Sequence, residues 1–216
     1  MKVIELDETV TLSNDRDAEI LRAKLQKENI LLINLMSSPG SGKTTLLSRT
    51  ITDLKDRFSL AVMEADIASD VDARRIEALG AGAIQVHTGG MCHMDAGMTE
   101  RALADLDREN YDIIFLENVG NLICPAEFDT GAHLNVMILS LPEGDDKPLK
   151  YPLMFRKSDA LLITKTDTSG YFDFDLEACC RRARRINPDI RIFPLSARTG
   201  EGMAAWEEWL ISHKES

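Results

Sequence analysis

The stretch Ser37-Ser38-Pro39-Gly40-Ser41-Gly42-Lys43-Thr44-Thr45 carries the clearest chemistry in this chain. Small residues let successive backbone N–H groups turn inward around phosphate oxygens, and a helix starting at the same place adds positive potential. Pro39, Gly40, Ser41, Gly42 and Thr45 supply the cradle, Lys43 is spaced to reach the β- and γ-phosphates, and the Thr44 hydroxyl to ligate Mg²⁺. Ser37 stands where the usual pattern has a glycine, and serine is small enough to fill most of that role. The apolar run 30–36 precedes the loop and the helix-like run 44–54 follows it. Strand, glycine-bearing loop and helix form the context in which this pattern binds phosphate.

Two later motifs choose the base. Thr164-Lys165-Thr166-Asp167 follows an apolar run and resembles the guanine-specificity loop of GTPases, Asn-Lys-x-Asp. The Asp167 carboxylate can accept from both the N1–H and the exocyclic amine of guanine; adenine lacks that donor pair. Lys165 would lay its aliphatic stem along the ring, while Thr164 keeps a hydroxyl where the pattern has an amide. Ser196-Ala197-Arg198-Thr199-Gly200 looks like the Ser-Ala-Lys loop whose backbone amide meets guanine O6. A kinase or ATPase reading of the phosphate loop requires that Asp167 not read guanine.

Hydrolysis of a nucleoside triphosphate needs a metal and a placed water. Mg²⁺ is expected on Thr44, Asp66 and Glu117, with Lys43, Asp66 and Glu117 as the catalytic set. Asp66 is alternatively a helix cap, and Asp72 either a further Mg²⁺ ligand or a solvated charge. A second candidate metal set is Cys92, His93 and Cys124, soft donors suited to Zn²⁺ or Ni²⁺. The alternative is that these thiols are small buried hydrophobes. Cys179-Cys180 occupies adjacent helix positions and reads as structural, and His87 and His133 as loop or core residues.

The elements that must position these groups alternate. Strands are expected at 30–36, 58–64, 83–87, 112–120, 133–141, 160–163 and 190–195. Helices are expected at 44–54, 70–79, 94–109, 173–186 and 200–213, with 122–131 irregular and 142–152 a polar, proline-bounded loop. That alternation predicts an α/β fold for 30–216: a doubly wound, mostly parallel sheet with helices on both faces and ligands at the strand carboxyl ends. Residues 1–29 read as an arm or short strand over 1–13, then a helix from Asp15 to Glu28 capped by Asn14 or Asp15 and laid on the core. At 216 residues one domain is expected. A net charge of −11 argues against nucleic-acid binding, and the run Arg181-Arg182-Ala183-Arg184-Arg185 reads as the solvated face of a helix before an anion patch. No apolar stretch reaches transmembrane length and the first residues are no signal peptide, so a cytoplasmic protein with reduced cysteines is expected.

Taken together, the phosphate loop, Glu64-Ala65-Asp66-Ile67, Cys92-His93-Met94-Asp95-Ala96, Glu117-Asn118-Val119-Gly120-Asn121-Leu122-Ile123-Cys124-Pro125 and Glu143-Gly144-Asp145-Asp146-Lys147-Pro148 resemble HypB, the family of GTPases that help insert nickel into [NiFe]-hydrogenases. Glu117 in the Asp-x-x-Gly switch position fits the dimer-forming metal-delivery class of GTPases. The resemblance implies hydrolysis of GTP to GDP and phosphate, and a GTP-dependent homodimer. It also implies nickel or zinc held near the subunit interface by Cys92, His93 and Cys124, and work with a HypA-type accessory protein and the hydrogenase large subunit. It makes 143–152 a candidate to reach the partner subunit, with Lys147 or Lys150 near the other nucleotide. Two departures stand out: 1–29 lacks the Cys-x-x-Cys or histidine-rich nickel tract of some members, and Gly97 replaces a further histidine. The competing readings are a urease accessory GTPase, whose Cys-Pro-His is here Cys124-Pro125-Ala126, and a GTP-switched binding module that carries no metal.

Overall fold

A computed structural model describes residues 6–65 and 70–216, with the side chains of 6–10, 70 and 71 left aside. Seven strands form one sheet in the order β3-β2-β4-β1-β5-β6-β7. They are β1 (Leu31–Ser37), β2 (Leu60–Glu64), β3 (Gly82–Gln85), β4 (Ile113–Glu117), β5 (Leu134–Ser140), β6 (Ala160–Thr164) and β7 (Arg191–Pro194). Every neighbouring pair runs parallel. Parallel strands covered on both faces are apolar throughout, and β1, β2, β4 and β6 are buried at every position.

Alternate residues of each strand feed opposite layers. Ile33 and Leu35 of β1 and Ile113 and Phe115 of β4 pack with Leu46, Leu47 and Ile51 of α2 (Lys43–Leu54) and with Trp206 and Leu210 of α9 (Met203–Lys214). Leu32, Ile114 and Leu116 face the other way, onto α1 (Leu6–Lys27) and α4 (Ala96–Asp105). Beyond β1, Met137, Leu161 and Ile163 pack with Met154 and Phe155 of α7 (Pro152–Lys157) and Cys179 of α8 (Leu176–Ile186). Between these lie α3 (Asp70–Ala78), α5 (Cys124–Glu127) and α6 (Lys147–Lys150).

The amino-terminal expectation needs correction. Residues 6–13 are not an arm or strand but the first turns of α1, and 1–5 lie outside the described residues. Asn14 is no cap: its buried side chain donates to Asp129 O at 2.9 Å and accepts from Ala96 N at 3.0 Å, so a tertiary bond replaces the capping role. Ala18, Leu21 and Leu25 are buried as the helical spacing requires, while Ile20 is exposed. Arg22 fixes the helix to the core through both Asp129 oxygens at 2.7 and 2.8 Å and through Ala132 O at 2.8 Å.

The proline-bounded stretch 142–152 is also not a loop. It folds as a 3₁₀ turn, Leu141–Glu143, then α6 and the start of α7. Pro142, Pro148 and Pro152 each stand in a first helical turn, where the missing N–H costs nothing. Glu143 Oε2 accepts from the N–H and hydroxyl of Ser140, both at 2.8 Å, and Asp145 accepts from Asp175 N and pairs with Arg182. Thus Arg182 is tied down rather than solvated, and Arg181 pairs along its own helix with Glu177 at 3.3 Å. The expected helix 94–109 stops at Asp105 before a 3₁₀ turn, Arg108–Asn110, and the irregular 122–131 contains the single turn of α5.

Candidate functional site

The site lies along the carboxyl edge of the sheet. At the end of β1, Gly40 and Gly42 take φ +75° and +99°, values that side-chain-bearing residues rarely adopt, and so turn the loop into the start of α2. Lys43 opens that helix almost wholly buried, its Nζ 3.7 Å from Glu117 Oε1 at the end of β4. Thr44 is half-buried and Thr45 exposed at the same helix end. Ser37 closes β1 with its hydroxyl donating to Ser38 O at 3.0 Å.

The ends of β6 and β7 close on the loop from the other side. Thr164 Oγ1 donates to Ser41 O at 2.7 Å, and Lys165, held at φ +62°, donates from Nζ to Gly40 O at 2.7 Å. Thr164 and Lys165 thereby tie the end of β6 to the phosphate loop. Asp167 Oδ1 accepts from Ser196 Oγ at 2.6 Å and Oδ2 from Arg198 Nε at 2.9 Å. The Ser196 bond first, and Arg198 after it, hold this carboxyl below its usual range. A pocket of about 470 Å³ opens here, bordered by Gly42, Thr45, Lys165, Asp167, Tyr171 and Ala197.

On the β4 side, a chain of asparagines leads away from Glu117. Asn118 is fully buried; its Nδ2 donates to Asn34 Oδ1 at 3.0 Å, and Asn34 donates to Asn135 Oδ1 at 2.9 Å. Asn118 Oδ1 accepts from Met94 N at 3.1 Å, anchoring the segment that carries Cys92 and His93. Three residues on, Asn121 Nδ2 donates to Cys92 O at 2.6 Å while its Oδ1 accepts from Cys124 N at 3.0 Å and Ile123 N at 3.1 Å. One side chain thus grips both cysteine-bearing segments.

Cys92 is exposed and its Sγ lies 3.7 Å from His93 Nδ1. Hydrogen bonding with the Cys92 thiol, followed by burial, pushes the Cys124 thiol up. His93 is 5% exposed, stacked on Phe128 with centroids 3.8 Å apart, and burial pushes its imidazole down toward the neutral form that a metal ligand requires. Among the described residues, no three His, Cys, Asp or Glu side chains gather as a metal set within this one chain.

The model of the CobW/HypB/UreG nucleotide-binding domain matches residues 31–194, which span the sheet and every loop just described. The hydrogenase maturation factor HypB of Azotobacter vinelandii is 50% identical over 209 residues, covering 97% of this chain and 69% of that protein. The chain belongs to the HypB family. HypB of Archaeoglobus fulgidus superposes with a TM-score of 0.89 at 34% identity, covering 94% of this chain and 99% of that one. HypB of Helicobacter pylori, solved in complex with nickel, superposes with a TM-score of 0.87 at 38% identity, covering 94% and 95%. The fold is that of P-loop GTPases.

Within this chain, the structure brings Pro39, Gly40, Ser41, Gly42, Lys43, Thr44 and Thr45 together with Lys165, Asp167, Ser196, Ala197 and Arg198 around one edge. Glu117 joins them through Lys43, Cys92 lies 3.7 Å from His93, and Asn121 ties the Cys92 segment to the Cys124 segment. Asp66 lies outside the described residues. Asp72 is half-buried at 3.7 Å from Arg75. Cys179 is buried and pushed up to about 12 by desolvation, and His133 accepts from Leu32 N at 3.1 Å, both structural as expected. His87 is exposed at the end of β3. Sequence reasoning missed Glu64, Asn118, Asn121 and Phe128. For Asn121 a signal existed: an asparagine side chain commonly bonds the backbone two residues on, here Ile123 N, at a turn.

Proposed function

We propose that this chain is a GTP-hydrolysing nickel chaperone for [NiFe]-hydrogenase maturation, in which the nucleotide state governs a thiol metal site. The observation that carries the proposal is Asn121. It ends the switch Glu117-Asn118-Val119-Gly120 and holds both the Cys92 carbonyl and the Cys124 amide. A switch that moves with the γ-phosphate moves both cysteines with it.

Guanine is read by Asp167, with its carboxylate accepting from N1–H and the exocyclic amine and the Ala197 amide meeting O6. The loop N–H groups and Lys43 take the phosphates. The residues fit Mg²⁺: Thr44 lies in the first turn of α2 next to Lys43, whose ammonium is 3.7 Å from the Glu117 carboxylate, and Glu64, paired with Glu117 across the sheet, keeps an oxygen with no hydrogen-bond partner among the described residues. Held there, Mg²⁺ would neutralise developing phosphate charge; Asp66 and Asp72 are further candidates for its shell, and Lys43, Asp66 and Glu117 are the proposed catalytic set.

Nickel is cargo rather than a resident cofactor. Cys92 and Cys124 as thiolates and His93 as neutral imidazole form a Cys₂His set, which zinc also accepts. The exposed Cys92 suits sharing the ion with a second copy in a GTP-closed homodimer, and α6 carries Lys147 and Lys150 as candidates to cross that interface. The relatives' role as hydrogenase maturation factors supports a HypA-type protein and the hydrogenase large subunit as partners. No helix among the described residues is long and apolar enough to cross a membrane, and we place the protein in the cytoplasm.

The test is double. Excess ATP should fail to displace labelled GTP, and Cys92→Ala and Cys124→Ala should abolish the thiolate-to-nickel absorbance while GTP hydrolysis persists. Displacement by ATP contradicts the guanine reading. An unchanged nickel spectrum in both variants contradicts the metal reading.

A further inference from the structure

Glu64 closes β2 and is 2% exposed, yet its Oε2 has no hydrogen-bond partner among the described residues. Leu60 and Val62 pack with Leu46 and Leu47 of α2, so the two-residue period of the strand turns Glu64 to that same face, the one bearing the phosphate loop's helix. Ile113 and Phe115 place Glu117 there by the same rule. Glu64 and Glu117 are directly paired across β2 and β4, so the two carboxylates stand side by side, about 4.8 Å apart at the backbone.

Among the described residues, the groups around Glu64 come from three elements. Glu117 on β4 has the Lys43 ammonium at 3.7 Å; Gln85, its pair on β3, is neutral; Asp72 on α3 adds a like charge, and Arg75 lies 3.7 Å from Asp72. Burial first, and Asp72 second, push the Glu64 carboxyl up to about 7. A buried acid among acids, with a bare oxygen, is costly in the nucleotide-free protein and calls for an ion or an ordered water.

Resting on the nucleotide reading above, we propose that Glu64 is a positioning residue for the nucleotide's divalent cation, its bare oxygen accepting a hydrogen bond from water in the Mg²⁺ shell. Glu64 thereby sets how firmly the ion is held behind Thr44, without itself touching phosphate. Outer-shell partners of a metal are worth roughly 10- to 100-fold in its affinity.

The experiment uses Mn²⁺ in place of Mg²⁺ on the full chain with GDP bound, counting free ion by electron paramagnetic resonance. GDP binding in EDTA first establishes that each variant is folded. Glu64→Gln, of the same shape, should weaken Mn²⁺ about tenfold or more, and Glu64→Asp should recover part of the loss. Mn²⁺ affinity within twofold of wild type in Glu64→Gln overturns the proposal. If Glu64→Gln does not fold, Glu64→Asp decides: a several-fold loss supports it, and none overturns it. A wild-type chain that binds no GDP overturns the nucleotide reading and this inference together, whereas GDP binding with unaltered Mn²⁺ affinity overturns this inference alone.

Discussion

The two halves of the sheet's carboxyl edge are built differently. On the β6–β7 side, Thr164, Lys165, Ser196 and Arg198 are each committed to a hydrogen bond that fixes the base loops to the phosphate loop or to Asp167. On the β2–β4 side, Glu64 has an oxygen with no hydrogen-bond partner among the described residues, Cys92 is exposed, and Cys124 is half-buried. Recognition of a base needs donors and acceptors that are already aimed, because an aimed group costs nothing to reorganise at binding. A switch needs groups whose bonding can change, and low satisfaction is the structural form of that freedom. In the proposed function, the rigid half would read guanine and the less satisfied half would respond to the nucleotide state.

The largest expected effect breaks the rigid half. Asp167→Asn replaces an acceptor with a donor opposite the guanine N1–H and amine, which should weaken GTP by about 10³-fold from two lost charge-assisted bonds. The amide should favour xanthosine triphosphate, whose C2 carbonyl accepts, in a competition against labelled GDP. Next comes Glu64. Its folded carboxyl titrates near 7 against an ordinary 4.5, so the native state holds the proton more tightly than the unfolded chain. Stability should then fall as pH rises from about 4.5 to about 7, by on the order of 3 kcal/mol at the upper limit. Urea midpoints of the nucleotide-free chain at pH 5 and pH 8 should converge in Glu64→Gln.

Asn121→Ala cuts the tie between the switch and both cysteine segments. It should reduce the nucleotide dependence of nickel affinity by about tenfold while leaving the affinity for GDP unaltered, measured by parallel titrations. The smallest effect is Thr164→Val, which leaves Ser41 O unpaired and should destabilise the chain by about 1 kcal/mol, read as a shift in denaturation midpoint.

Much of this was legible in the residues. The β1 run, the phosphate loop and α2 follow one another in sequence, so their meaning is local and the expected boundaries differ from the observed ones by a residue. The two loops proposed to meet guanine follow the same local logic, each lying at the carboxyl end of an expected strand, the buried β6 and the partly exposed β7. The failures are long-range. Asn14 looks like a cap until Asp129 and Ala96 claim its side chain, more than eighty residues away in each case. Glu64 looks like the polar end of a strand until register sets it beside Glu117. The stretch 142–152 looked like a loop because prolines and charges mark turns, yet those prolines sit where helices begin. Cys92 and Cys124 could be named from sequence; that Asn121 spans them required the fold.

The most direct measurement is nickel affinity of the wild-type chain, nucleotide-free, with GDP, and with a slowly hydrolysed GTP analogue, followed by thiolate absorbance alongside mass. The account predicts that affinity and dimer fraction both change between the GDP and GTP-analogue states. A nickel affinity that is the same in all three states contradicts it.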